Sequence, residues 1–140
     1  MTEKDCIFFQ FAKANQLAGR FLGQKVAPLN ITPVQAMVLG FLHEEDRITS
    51  SELGKRTELD SATLTGILDR LETAGLIERL GNPDDRRSIQ IHLTGKGKNV
   101  GAETARLITL ANREFLAVLN DKERQTLHEM IGRLRRSAQC

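Results

Sequence analysis

The middle of the chain, residues 48–98, restricts the fold more than any other segment. Two short helical patterns come first, and the second of them runs into the strand-like "LIERL". A hairpin pattern, "RLGNPDDRRSIQIHLT", follows at once and carries a pair of arginines just past its turn. This order of elements is typical of a winged helix-turn-helix, which places one helix in the DNA major groove and a charged loop beside it. The segment therefore predicts DNA recognition rather than catalysis.

The helix that precedes this segment has a strong start signal. Thr32 is placed as its N-cap, Pro33 lies at the first helical position, and Gln35 follows three residues after the cap. Apolar residues at helical spacing predict its buried side: Val34, Met37, Val38, Phe41 and Leu42.

Capping residues also mark the helix pair itself. Thr49 and Glu52 have the spacing of a capping box at the start of the first helix. Asp60 or Ser61 caps the second helix, and Gly75 is placed to end it in a left-handed conformation. The sequence therefore predicts two short helices joined by a tight turn.

The second helix of the pair has two different faces when successive residues are turned by about 100°. One face is apolar and should lie on the core: Leu64, Ile67, Leu68 and Leu71. The other face carries small and polar residues, with Thr63 and Arg70 on its flank: Ala62, Thr65, Gly66, Asp69 and Thr73. Small and hydroxyl side chains are unusual on a solvated helix, and they would let this helix approach base edges and methyl groups closely.

Both ends of the chain carry long helical patterns with more apolar residues than a small winged domain needs. We expect one helix over residues 5–26, ended by Pro28, and another over residues 95–119, capped by Thr94. Asn120 or Asp121 caps the last helix, whose apolar stripe contains Leu127, Met130, Ile131 and Leu134. Terminal helices with spare apolar faces usually pair with a second copy of the chain.

These patterns predict a mainly α fold with a small β-hairpin wing, of the α+β class. We expect a winged helix-turn-helix DNA-binding domain at residues 31–94. Residues 1–30 and 95–140 are expected to form a helical dimerisation layer on its two flanks.

Composition sets wider bounds on the function. Hydrophobic residues make up 40% and charged residues 27% of the chain, which is ordinary for a soluble globular protein. The net charge is only +2, so DNA affinity must come from the placement of charges rather than from their sum. No apolar run approaches the roughly 20 residues of a membrane span. We expect a cytoplasmic protein that does not contact a membrane.

Sequence patterns that carry catalysis or bind metals are missing. The chain has no Gly-rich phosphate loop and no nucleophile with a base at motif spacing. His43, His92 and His128 are scattered over different elements without the spacing of metal ligands. We therefore expect no enzymatic activity, no cofactor and no metal.

Three segments together resemble one protein family: "LNITPVQAMVLGFL", "ITSSELGKRTELDSATLTGILDRLETAGLIER" and "NPDDRRSIQIHLTGKG". With long helices on both sides, they are similar to the MarR family of bacterial and archaeal transcriptional regulators. The most specific element is the wing pattern Asp85-x-Arg87, followed by an alternating strand that ends at Leu93-Thr94. The resemblance covers essentially the whole chain.

The resemblance implies an obligate homodimer whose two winged domains read a pseudo-palindromic operator in double-stranded DNA. Repression through a blocked promoter is the usual mode of the family. The residues that would meet the major groove are Ser61, Ala62, Thr63, Thr65 and Gly66. Arg87 would enter the minor groove, where the negative potential of narrow A/T-rich DNA attracts arginine. Arg86 would bind a phosphate, and Asp85 would be held close to Arg87 and orient it.

Phosphate contacts and an effector site are implied in the same way. Contacts that fix register without reading sequence are expected from Ser50, Ser51, Lys55, Arg56 and Arg70. Family members often release DNA when a small phenolic or other aromatic effector binds between the dimerisation helices and the winged domain. The candidate lining residues, which fit core packing equally well, are Phe8, Phe11, Leu17, Phe21, Met37, Phe41 and Phe115.

Two alternatives remain open at the level of sequence. The segments "LNIT" and "LDSATLT" resemble the organic-peroxide sensors of the family, so Cys6 at the start of the first helix is a candidate redox residue. Cys140 could reach Cys6 of a second subunit. The other alternative is a winged-helix protein-interaction module without DNA binding. Such a module predicts acidic or bulky residues on the exposed recognition face and a short wing without arginine. The residues that argue against it are Thr63, Thr65, Gly66 and Arg87.

Overall fold

The three-dimensional structure, a computed structural model, describes residues 2–139. The α-helices are α1 (Ile7–Val26), α2 (Pro33–Glu44), α3 (Ser50–Thr57), α4 (Ser61–Thr73), α5 (Gly95–Phe115) and α6 (Asp121–Ala138). The strands are β1 (Ile48–Thr49), β2 (Ile77–Asn82) and β3 (Asp85–Leu93), and short 3₁₀ turns at Glu3–Asp5 and Ala27–Leu29 flank α1. This confirms the predicted mainly α fold with a small β wing.

The wing is the hairpin of β2 and β3, which pair antiparallel, with Ile77 opposite Leu93 at the base. A third strand, β1, pairs with the other edge of β3 and places Ile48 opposite Ile91, so the strand order is β1-β3-β2. The sequence analysis missed β1, because a strand of two residues has no alternation to detect.

The main core lies where α2, α3 and α4 meet the sheet. The predicted core face of α4 is confirmed, since Leu64, Ile67, Leu68 and Leu71 are all buried. Leu53 of α3 is completely buried against them.

The predicted buried side of α2 is wrong in part. Val38 and Leu42 are buried, but Val34 is 37% exposed and Met37 is 46% exposed. Ala36 and Leu39 are buried in their place, because α5 crosses α2 on that side, where a Cβ on Gly40 would lie 3.5 Å from Ile108 Cδ1. The side of α2 that contacts α5 includes Ala36 and Gly40, which are too small to stand out in a hydrophobic pattern.

Helix ends follow the cap signals closely, with two corrections to length. Thr32, Asp60, Thr94 and Asn120 are N-caps whose side chains accept backbone N–H groups, and Gly75 has the left-handed φ of 76°. The first helix starts at residue 7 and not at residue 5, because Glu3–Asp5 forms a separate turn. The fifth helix ends at residue 115 and not at residue 119. Of the capping box after β1, only the Thr49 half forms, because the Glu52 carboxylate lies against Arg56.

The terminal helices leave much apolar surface uncovered. No residue of α6 is buried, and of α1 only Val26 is buried. Large exposed apolar side chains on these two helices are Ile7, Phe8, Phe9, Phe11, Leu17, Leu127, Met130, Ile131 and Leu134.

Within residues 2–139 no helix is by itself long and apolar enough to cross a membrane. The first helix with its following turn, taken together with α2, meets that requirement only as a pair bent by 69°.

Candidate nucleic-acid interface

A surface groove between α3 and α4 brings several predicted DNA contacts together. The groove has a volume of about 510 Å³. Its polar lining consists of Ser50, Ser51, Lys55, Ser61 and Thr65, and its floor of Leu59, Leu64 and Leu68. Residues predicted as phosphate contacts and residues predicted to meet the major groove therefore share one surface.

The first turn of α4 is fixed by Asp60. Its Oδ1 accepts the backbone N–H of Thr63 at 2.8 Å, and its Oδ2 accepts the Thr63 hydroxyl at 2.8 Å. The Thr63 backbone N–H, followed by the hydroxyl, holds the pKa of Asp60 below its usual value. The Thr63 hydroxyl thus donates its proton within the cap, and its oxygen stays available as an acceptor.

The outer face of α4 is open at its centre. Ala62, Thr63 and Thr65 are exposed, and Gly66 is partly exposed. A Cβ built on Gly66 would meet no atom within 4 Å. Packing inside the chain therefore gives no reason for a glycine at this position.

The wing places two cations near the hairpin turn. Arg86 and Arg87 are both exposed at the start of β3. Asp85 Oδ1 accepts the backbone N–H of Arg87 at 3.0 Å, and the Ser88 hydroxyl donates to the Asp85 carbonyl at 3.3 Å. Asp85 thus lies close to Arg87, and the contact fixes the backbone that carries the arginine rather than its guanidinium.

Two predicted phosphate contacts lie apart from the groove. Arg56 forms ion pairs with Glu45 and, at 3.7 Å, with Glu52. Arg70 lines a separate cavity of about 250 Å³ between α2, α4 and α5, together with Lys96. Neither arginine is among the residues that line the groove of Ser50, Ser51 and Lys55.

Three residues that hold this region together escaped the sequence analysis. The carboxylate of Asp46 accepts the backbone N–H of Leu93 at 2.9 Å and joins the end of α2 to β3. Arg79 of β2 forms an ion pair with Asp69 of α4. A Cβ on Gly97 would lie 1.8 Å from the carbonyl oxygen of Leu76, so α5 starts in direct contact with the backbone before β2. Such contacts between distant segments leave no local sequence signal.

Comparison with known proteins gives this arrangement a family. A family model described as the MarR family matches residues 31–89. The multiple antibiotic resistance protein MarR of Escherichia coli is 37% identical over 94 residues, which are 67% of this chain and 65% of that protein. The protein of the same name in Salmonella typhimurium is 42% identical over 83 residues, 59% of this chain and 58% of that protein. The chain thus aligns with less than two thirds of the length of these curated relatives.

Solved structures match over more of the chain. A probable transcriptional regulator from Pseudomonas aeruginosa has a TM-score of 0.88 at 31% identity, covering 95% of this chain and 99% of that one. A mutant of Escherichia coli MarR complexed with operator DNA has a TM-score of 0.84 at 31% identity, covering 91% and 92%. The chain belongs to the MarR family. The apo form of wild-type Escherichia coli MarR has a TM-score of 0.72 at 31% identity, covering 92% and 96%.

MarR-family members are transcriptional regulators and not enzymes, in agreement with the expectation from the sequence. In the part of the chain that the structure describes, no group of three or more His, Cys, Asp or Glu side chains is placed to hold a metal ion.

The seven candidate effector residues lie in three places in this MarR-family chain. Met37 and Phe41 line a groove of about 350 Å³ between α2 and α5, together with Gly40, Glu44, Ala105, Ile108 and Thr109. Phe21 and Phe115 pack against each other, with ring centroids 5.3 Å apart. Phe8, Phe11 and Leu17 are exposed along α1.

Of the two candidate redox residues, Cys6 lies within the described part of the chain. Cys6 is the N-cap of α1 and is half-buried, and its side chain makes no cap hydrogen bond. Cys140 lies outside the described residues. The findings on this MarR-family chain do not favour the peroxide-sensing alternative or the protein-interaction module.

Proposed function

We propose that this protein is a transcriptional regulator that binds double-stranded DNA in a sequence-specific manner as a homodimer. Each subunit reads one half of a pseudo-palindromic operator. In this proposal residues 31–94 form the DNA-binding domain, and residues 1–30 and 95–140 form the dimerisation layer.

The observation that carries the proposal is the outer face of α4. A glycine in the middle of a helix costs about 1 kcal/mol relative to alanine, yet nothing in the chain lies within 4 Å of a Cβ at Gly66. The neighbouring exposed residues Ala62 and Thr65 are also short. A face without long side chains suits close contact with the floor of a major groove, where Thr hydroxyl and methyl groups meet base edges.

The positive charge of the wing supports the same proposal. Arg86 and Arg87 are exposed, and the hydrogen bond from the Arg87 N–H to Asp85 fixes the backbone that presents them. In this role Arg87 enters the minor groove beside the recognition helix α4, and Arg86 binds a phosphate. Ser50, Ser51 and Lys55 bind phosphates from the groove beside α4, and Ser61 and Thr63 contact bases or phosphates from its first turn.

The solved neighbours add support that does not depend on single residues. The single-chain arrangement is more similar to operator-bound Escherichia coli MarR, with a TM-score of 0.84, than to its apo form, with a TM-score of 0.72. The domain arrangement of this chain therefore resembles the DNA-bound form of a relative.

The exposed terminal helices support the homodimer. An amphipathic helix is stabilised mainly by burying its apolar face, yet α6 buries no residue within its own chain. Met130 and Leu134 are 55% and 53% exposed, and they line a surface groove of about 420 Å³ with Arg133 and Ser137. A second copy that covers the faces of α1 and α6 removes this surface from water.

Repression and effector control complete the proposal. A dimer bound across a promoter blocks transcription, and a small aromatic effector in the groove between α2 and α5 would release it. This groove adjoins the contact of α2 with α5, so an occupant lies between the dimerisation layer and the DNA-binding domain. Met37, Phe41 and Ile108 supply its apolar lining.

The test is binding to duplexes that the protein selects from a random library, compared with a scrambled duplex of equal length. If the protein contacts six to ten phosphates, raising the salt concentration from 50 to 200 mM should lower its affinity for DNA by about 10³-fold to 10⁵-fold. Arg87→Ala should abolish most of the specific binding with the fold intact. Arg106→Ala is the matched control, because Arg106 is exposed on α5 and pairs only with Glu103 in the described chain. Equal affinity for selected and scrambled duplexes refutes the proposal.

A further inference from the structure

Arg79 connects the stem of the wing to the recognition helix. It lies on β2, opposite Ile91 of β3. Its guanidinium Nη2 pairs with Asp69 Oδ1 on α4, and its backbone N–H donates to Glu72 Oε2 on the same helix at 3.3 Å. One residue of the wing therefore contacts two carboxylates spaced three residues apart on α4.

Asp69 stands at a position where an acid is unfavourable for DNA binding. It follows Thr65 by four residues and Gly66 by three, so it lies on the outer face of α4 that carries the proposed base contacts. Its side chain is 59% exposed. A carboxylate on this face repels phosphates unless it is paired, so its presence calls for a role that needs the charge.

The burial of Arg79 points to the same role. Its side chain is 24% exposed, and its Nε is buried without a hydrogen-bond partner among the described residues. A buried donor without an acceptor destabilises the fold. The enclosed side chain, held by the ion pair with Asp69, has little freedom to move, so it fixes the geometry between β2 and α4.

We infer that Arg79 is a positioning residue for DNA binding: through Asp69 and Glu72 it braces the wing against the recognition helix. The brace sets where Arg87 lies when α4 is in the major groove. This inference rests on the proposed function for its effect on DNA, but the brace itself exists in the free protein.

The first measurement is amide hydrogen exchange in the free protein. Asp69→Asn and Arg79→Met should each speed exchange of the β2 and β3 amides about tenfold, with little change in the midpoint of global unfolding. Arg106→Met is the control, because it breaks a comparable ion pair on α5 with Glu103 and should leave the hairpin unchanged. Unchanged exchange in both brace variants overturns the inference, whether or not the protein binds DNA.

The second measurement separates bracing from a direct DNA contact of Arg79. Bracing predicts that Asp69→Asn weakens binding of the selected duplex about tenfold, although it removes a negative charge from the DNA-facing side. In an Arg87→Ala background the same change should cost less than twofold, because the braced contact is already lost. A general loss of stability would instead weaken binding in both backgrounds.

A direct phosphate contact of Arg79 gives the opposite pattern. Asp69→Asn would then free the arginine and leave binding unchanged or tighter, while Arg79→Met would reduce the salt slope by about one. That result overturns the inference. If Asp69→Asn does not fold, Arg79→Met in the parent and in the Arg87→Ala background carries the test, since a direct phosphate contact costs affinity in both backgrounds and a brace only in the first. Parent protein that binds no duplex refutes the proposed function and leaves the exchange experiment to decide on the brace.

Discussion

Two glycines show how the same residue serves opposite purposes in this chain. At Gly97 a Cβ would collide with the Leu76 carbonyl oxygen at 1.8 Å, so the glycine permits backbone contact within the fold. At Gly66 the space is empty, so the glycine serves nothing inside the chain. Gly97 therefore serves the stability of the fold, and by our proposal Gly66 serves contact with DNA.

Gly66→Ala should therefore separate stability from binding. The free energy of unfolding is expected to rise by about 1 kcal/mol, because alanine favours the helix and meets no neighbour. Affinity for the selected duplex should fall, because the methyl group occupies space that the base edges need. Unfolding in urea and a binding titration measure the two effects. An alanine variant that gains stability and binds as tightly as the parent would show that this face does not meet DNA.

Gly97→Ala should be strongly destabilising. The added methyl must displace the backbone at Leu76 or move the start of α5, and overpacking of this kind costs about 1–3 kcal/mol or more. Gly95→Ala is the matched control in the same helical turn, because no atom lies within 4 Å of a Cβ there. Urea unfolding of both variants tests the close approach, and equal stabilities would contradict it.

The cap of α4 makes a prediction about pH. Hydrogen bonds from Thr63 hold the pKa of Asp60 below its usual value, so the unfolded chain binds a proton more readily than the folded one. The contribution of this group to stability is fully present above the unfolded pKa of about 3.9. It is lost as the pH falls through the lower folded pKa.

Asp60→Asn provides the comparison, because asparagine also caps helices but does not titrate. The stability difference between parent and variant should be constant near neutral pH and shrink below about pH 4. Urea unfolding over a pH series measures it. A difference that stays constant down to pH 2 would show that the Asp60 carboxylate has no special role in the cap.

At the scale of elements, the sequence predicts what is decided within one or two helical turns. Caps such as Thr32 and Thr94 and the two faces of α4 depend on residues three or four positions apart. Contacts between distant segments are different. The strand β1 exists because Ile48 meets Ile91, and Asp46 is fixed by an N–H group 47 residues away. No local pattern encodes such pairs.

The residues of the candidate interface also differ in whether local sequence patterns predict their surroundings. The exposed residues of α4 and the arginines of the wing are predictable, because helical periodicity and a hairpin turn determine where they lie. Arg56 shows the limit of this reasoning. Whether an arginine is free depends on acids such as Glu45 at the end of α2, which come close only in the folded chain.

At the scale of the whole molecule, α6 packs back against the turn of the helix-turn-helix. Its residue Arg135 forms an ion pair with Glu58, and Gln139 Nε2 donates to the same carboxylate at 3.3 Å. Glu58 has a left-handed φ of 57° and lies in the turn between α3 and α4. The C-terminal helix therefore contacts the helix-turn-helix directly, while its apolar stripe remains exposed.

In the proposed function two chains read one operator together. The mass of the complex with a single selected duplex, measured by native mass spectrometry or sedimentation, tests it most directly. We expect two protein chains per duplex, a protein dimer also in the absence of DNA, and loss of binding when one half-site is scrambled. A complex with one chain per duplex, formed equally well on the half-scrambled site, would contradict it.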